Sequence, residues 1–147
     1  MRLYGNDPEA DKRAFLDEAH KEGLEVIMGM SDYPYRQMTG NCQTTKYNCY
    51  KQLKEAYAGN LRNGLLGSNN QYHAAIRKVI VMNEPELKMP NRKSAMKFFV
   101  KAMLSAIDGM IDAEKEAGVT GTLPMFTVGV RGCPCATCSP WAPWRGA

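Results

Sequence analysis

Three short apolar runs, each separated from the next by an amphipathic stretch, predict an α/β fold. The expected form is a partial (β/α)8 TIM barrel of about four parallel strands with three crossover helices. Two observations carry that expectation. The runs are nearly continuous in apolar and β-branched residues, as strands covered on both faces require. A carboxylate with a polar neighbour follows one of them directly, at the strand end where barrels carry their chemistry.

The elements follow in order. Arg2-Leu3-Tyr4-Gly5 reads as a truncated first strand. Asp7 and Pro8 suit the N-cap and first position of a helix whose apolar stripe is Phe15, Leu16 and Ala19, stopped by Gly23. Leu24 to Met30 is the second strand run. A helix is expected from Tyr50 to Leu66, with Leu53, Tyr57, Leu61 and Leu65 spaced by four on one face. Ile76 to Met82 is the third run. A long helix from Ser94 to Ala117 should bury Met96, Phe99, Met103, Ile107, Met110 and Ile111 before Gly118 ends it. Met125 to Val130 is the last run. The same order could build an open doubly wound sheet. That fold wants a glycine-rich phosphate loop after an early strand, and neither Gly5-Asn6-Asp7-Pro8 nor Gly29-Met30-Ser31-Asp32 supplies one.

Residues 1–130 form the expected barrel part and 131–147 an irregular tail rich in Cys, Pro and Gly. At 147 residues, 44% apolar and 23% charged, the chain has the make-up of one globular domain, too short to complete a barrel. No run of eighteen apolar residues is present, so no membrane-spanning helix is expected. Met1 to Gly5 lead into no apolar signal region. The net charge of +4 is spread without blocks of like sign, which argues against a nucleic-acid or membrane-surface partner.

Asn83-Glu84-Pro85 holds the chemistry. A glutamic acid at the end of a buried strand loses solvation, which moves its pKa toward that of a working general acid. Asn83 can donate to and accept from a substrate hydroxyl, and Pro85 ends the strand. The plainer alternative is a polar strand exit. Tyr33 and Tyr35, just beyond the second run, offer rings on which a sugar face can stack, or anchors for the loop; Tyr33, nearer the strand end, is the better candidate for substrate binding. His20 and His73 have no partner at a telling spacing, and the methionines read as core filling, so no metal or other cofactor is expected.

Val79-Ile80-Val81-Met82-Asn83-Glu84-Pro85 resembles the fourth strand of clan A glycoside hydrolases, retaining enzymes built on a (β/α)8 barrel. Arg2-Leu3-Tyr4-Gly5 is similar to the second strand of their beta-glucanase and glucanosyltransferase branch, and the segment from Leu16 to Gly29 to the helix and third strand that follow. The resemblance implies that Glu84 is the acid/base, that Asn83 contacts the sugar hydroxyl beside the anomeric carbon, and that Arg2 matches a substrate-binding arginine. It implies a polysaccharide or oligosaccharide partner, and a parent enzyme that is secreted or associated with the cell wall. Retention needs a second carboxylate about 5–5.5 Å from the first. The family carries it on the seventh strand, and this pattern stops after the fifth, so Asp7, Asp32 and Glu86 are neighbours to which no nucleophile role is assigned.

Five cysteines fall into two groups. A disulfide between Cys42 and Cys49 would tie a polar loop and suit a secreted protein. Cys133, Cys135 and Cys138 are close enough for zinc but lack a fourth ligand. Three functions therefore compete: an incomplete, inactive part of a beta-glucan-active glycosidase, a non-catalytic carbohydrate-binding pseudoenzyme, and a metal or redox protein built on the tail. A partial barrel would also leave strand edges open, so self-association is expected.

Overall fold

The computed structural model describes residues 1–4, 6–85 and 95–129. Its centre is an all-parallel sheet of three strands, β1 (Val26–Gly29), β2 (Ile76–Asn83) and β3 (Met125–Gly129), lying side by side in chain order. Helix α1 (Arg13–Lys21) precedes β1, α2 (Tyr50–Asn60) links β1 to β2, and α3 (Ala95–Glu116) links β2 to β3. Each parallel pair thus has its crossover helix, which makes the chain an α/β protein. None of the described helices is long and apolar enough to cross a membrane.

The expected first strand shrinks to a single bridge. Arg2 pairs in parallel with Ile27, whose N–H donates to Met1 O at 2.8 Å and whose carbonyl accepts from Leu3 N at 3.0 Å. The chain then leaves the sheet for a turn in which Glu9 N donates to Asp7 Oδ1 at 3.0 Å. That turn also corrects the expected helix start. Asp7 and Pro8 do not open α1, which begins at Arg13. Asp7 is spent on the turn and Lys12 Nζ ties it down through Asp7 O and Ala10 O, at 2.7 and 2.6 Å.

Helix α2 follows its spacing: Leu53, Tyr57, Leu61 and Leu65 are all buried, the last two in a wide π-type turn that extends the helix to Leu65. Helix α3 keeps part of its expected stripe: Met103 and Met110 are buried, and Phe99 and Ile107 pack half-buried against the core. Met96 and Ile111 are exposed, and the buried face is Ala102, Met103, Ala106, Met110 and Ala113. The small residues let α2 come close. A Cβ on Gly109 would collide with the carbonyl oxygen of Tyr50, so the two helices meet backbone to backbone there. All three helices pack into one core with Val26 and Met28 of β1 and Val79 and Val81 of β2.

Cys42 and Cys49 are joined in a disulfide, with their Cα atoms 4.8 Å apart. Cys42 N donates to Pro34 O at 3.1 Å and Cys49 N to Ser105 Oγ at 2.8 Å, so the loop is fastened at both ends. Glu86, Cys133, Cys135 and Cys138 lie outside the described residues, as do Ser94 and Val130 at the ends of their expected elements.

Candidate functional site

Parallel strands in chain order bring their C-terminal ends to one rim. The rim collects Gly29 to Asp32 after β1, Asn83 and Glu84 at the end of β2, and Gly129 at the end of β3. Arg2 reaches it from the bridge beside β1. There Arg2 Nη2 donates to Asn83 Oδ1, and the guanidinium lies 4.3 Å from the centre of the Tyr4 ring, a cation–π contact. The pair needs bare backbone beneath it. A Cβ on Gly129 would stand 2.5 Å from Arg2 Nη2 and 2.7 Å from Asn83 Oδ1.

Beside this pair opens a cleft of about 240 Å³, lined by Arg2, Leu3, Tyr4, Gly29, Met30, Ser31, Asp32, Gln37, Ile80 and Asn83. Its volume is below the range of about 300–1,000 Å³ that encloses a drug-sized ligand, so it suits one group of monosaccharide size. The wall combines planar polar groups with an aromatic ring and aliphatic surface. Sugars present that same mixture of hydroxyls and C–H faces. The Nε atom of Arg2 is buried without an acceptor among the described residues, a donor that a ligand hydroxyl could satisfy.

The expected residues divide. Arg2 and Asn83 come together and line the cleft. Glu84 is half-buried beside them but is not part of the lining. Its backbone has φ 47°, uncommon for a residue with a Cβ, and its N–H donates to Gly129 O at 2.5 Å. Tyr33 sits past the end of β1, 55% exposed and outside the lining. Tyr35 is the loop anchor: it is buried, its hydroxyl donates to Val81 O at 2.7 Å, and burial pushes its pKa far up.

Sequence reasoning missed Tyr4 and Gln37. Tyr4 belongs to the strand read as truncated, and its proximity to Arg2 depends on the bridge. Gln37 returns to the rim because Tyr33–Gln37 forms one wide helical turn, closed by Met38 N donating to Tyr33 O at 3.0 Å. Tyr33 and Tyr35 of that turn stand out in the sequence, whereas its closure does not. The histidines also have partners that their spacing hid. His73 Nε2 is 3.0 Å from Asp17 Oδ1, and its ring meets His20 edge-on at 6.0 Å, at the opposite end of β2 from the cleft.

No family model matches the chain, and no curated protein or solved structure matches it either.

Proposed function

We propose that the chain carries part of a retaining glycoside hydrolase site of the clan A type, on an arc of a (β/α)8 barrel, and that its cleft holds one unit of a beta-glucan-type saccharide. The observation that carries this reading is the cleft itself: Arg2 joined to Asn83, an unsatisfied buried Arg2 Nε, and a lining of Asp32, Gln37 and Tyr4. The strand order supports the barrel arc. Consecutive parallel strands are neighbours and one core takes all three helices, as in an arc of such a barrel.

In this reading Asn83 holds the hydroxyl next to the anomeric carbon and Arg2 orients Asn83. Glu84 protonates the leaving glycosidic oxygen, then accepts the proton of the incoming water or sugar hydroxyl. The family's nucleophile has no counterpart among the described residues, so saccharide binding without turnover is the expected behaviour of this chain. A binding-only pseudoenzyme is the second reading, favoured by Glu84 and Tyr33 standing outside the cleft lining.

Calorimetric titration with a short beta-glucan oligosaccharide, paired with a reducing-sugar assay, tests both. The expected result is saturable binding, weakened about tenfold or more in Arg2→Ala because a half-buried charge-assisted bond is lost, with no sugar released. Release that disappears in Glu84→Gln would establish catalysis by this chain alone. Absence of binding to any beta-glucan oligosaccharide would overturn the proposal.

A further inference from the structure

We infer that Asn60 is a positioning residue for the cleft: it holds the Met30 side chain in one place, and with it the room that a saccharide unit needs. The inference rests on the saccharide reading above and adds a residue that touches no ligand. Asn60 is the last residue of α2 and is 0% exposed. Its Nδ2 donates to Met30 Sδ at 3.7 Å. Its Oδ1 is buried and has no hydrogen-bond partner among the described residues.

For stability alone, that is a poor use of a core position. Asn60 continues the buried stripe of Leu53 and Tyr57, where an aliphatic side chain would suit the core better. An amide there gives up its water on folding and regains one weak N–H···S bond. Buried polar groups normally find partners, so an orphaned one that persists calls for a purpose other than stability.

Met30 supplies the purpose. It follows β1, is buried, and lines the cleft. Its backbone N–H donates to Ile80 O at 2.9 Å, which fixes its main chain beside a second lining residue. The side chain has no such anchor in its own chemistry. An unbranched thioether with three rotatable bonds adapts to whatever space is offered, a weakness where a site must keep its shape. In a cleft of about 240 Å³, a methionine that swings inward takes space from the sugar ring. A hydrogen bond to the sulfur selects one conformation. The donor is itself held still, because the end of α2 cannot shift: a Cβ on Gly59 would stand 2.9 Å from Pro8 Cβ, and Asn63 Nδ2 donates to Pro8 O at 2.7 Å.

A double-mutant cycle, read by calorimetric titration with a short beta-glucan oligosaccharide, tests the coupling. Asn60→Leu should weaken binding about fivefold while the urea midpoint holds or rises, since the orphaned acceptor is gone. In a Met30→Leu background, where no sulfur accepts the bond, the same substitution should change affinity less than about twofold. Equal losses in both backgrounds, or a lower midpoint with affinity kept, would overturn the inference. Spectra of the chain with isotope-labelled methionine methyl groups need no sugar. The Met30 methyl signal, identified by its absence in Met30→Leu, should hold a fixed position in the unaltered chain and move toward the averaged value in Asn60→Leu. A signal already averaged, or unmoved by the substitution, would overturn the inference whether or not saccharide binds. The expected methyl shift without any saccharide binding would uphold the grip of Asn60 on Met30 and count against the saccharide reading alone.

Discussion

The hydroxyl of Tyr35 donates to the carbonyl of Val81 at 2.7 Å, joining the turn after β1 to the strand that ends in Asn83 and Glu84. Val81 is the residue at which the β2–β3 register shifts, between Ile80 and Met82. A ladder irregularity leaves a backbone group in need of a partner, and Tyr35 supplies it. The same turn carries Asp32 at its start and Gln37 at its end, so the bond sets the cleft wall against its floor.

Tyr35→Phe should therefore act on stability and on the cleft together. The buried Val81 carbonyl would lose its donor, at a cost of about 1–3 kcal/mol. The urea midpoint should fall with an unchanged slope, and saccharide affinity should fall several-fold.

Gly109→Ala offers a sharper test of helix packing. The added methyl group has Tyr50 backbone in its way, which cannot turn aside as a side chain could. We expect a loss of about 1–3 kcal/mol, against the small gain that alanine usually brings to a helix interior. Chemical unfolding of the two proteins decides it.

A third prediction concerns alkaline pH. Tyr57 Oη lies 2.5 Å from Tyr72 Oη, and both meet Glu114 Oε1. Burial, reinforced by that carboxylate, raises the pKa of each hydroxyl above its ordinary value. In the unfolded chain both ionise near pH 10, while the folded chain keeps its protons. Their contribution is complete below that pH and declines above it, by up to about 1.4 kcal/mol per pH unit for each tyrosine. Urea midpoints between pH 8 and pH 11.5, with pH chosen to span that ionisation, should bend downward near pH 10, and Tyr72→Phe should reduce the bend.

Removing the disulfide with Cys42→Ser and Cys49→Ser should cost about 2–3 kcal/mol, the value for closing a loop this short. The sheet signal in circular dichroism should persist, because neither cysteine belongs to a strand.

The large side chains made the strand runs and α2 legible. Leu53, Tyr57, Leu61 and Leu65 repeat at helical spacing with bulk that solvent would reject, and all four are buried. Helix α3 misled for the converse reason. Beside Met103 and Met110, which the pattern names, its contact face is Ala102, Ala106, Gly109 and Ala113, residues whose small size is their function but whose hydropathy says little. Met96 and Ile111 outweighed them in the pattern although both stay exposed. Asp7 misled because an aspartate before proline caps turns as readily as helices. At the rim, Asn83 and Arg2 could be named from their strands, whereas Gln37 depends on a turn whose closure is a matter of backbone geometry.

The side-by-side parallel order has a kinetic consequence. Two strands that run the same way cannot meet through a tight hairpin, so every sheet contact here waits for the closure of a long intervening segment. Folding from a dilute, denatured start should accordingly show helical signal before any protection of the β2 amides from hydrogen exchange. The last register to lock would be that of β2 with β3, and the crossing of Arg2 over Gly129 would complete the rim only then.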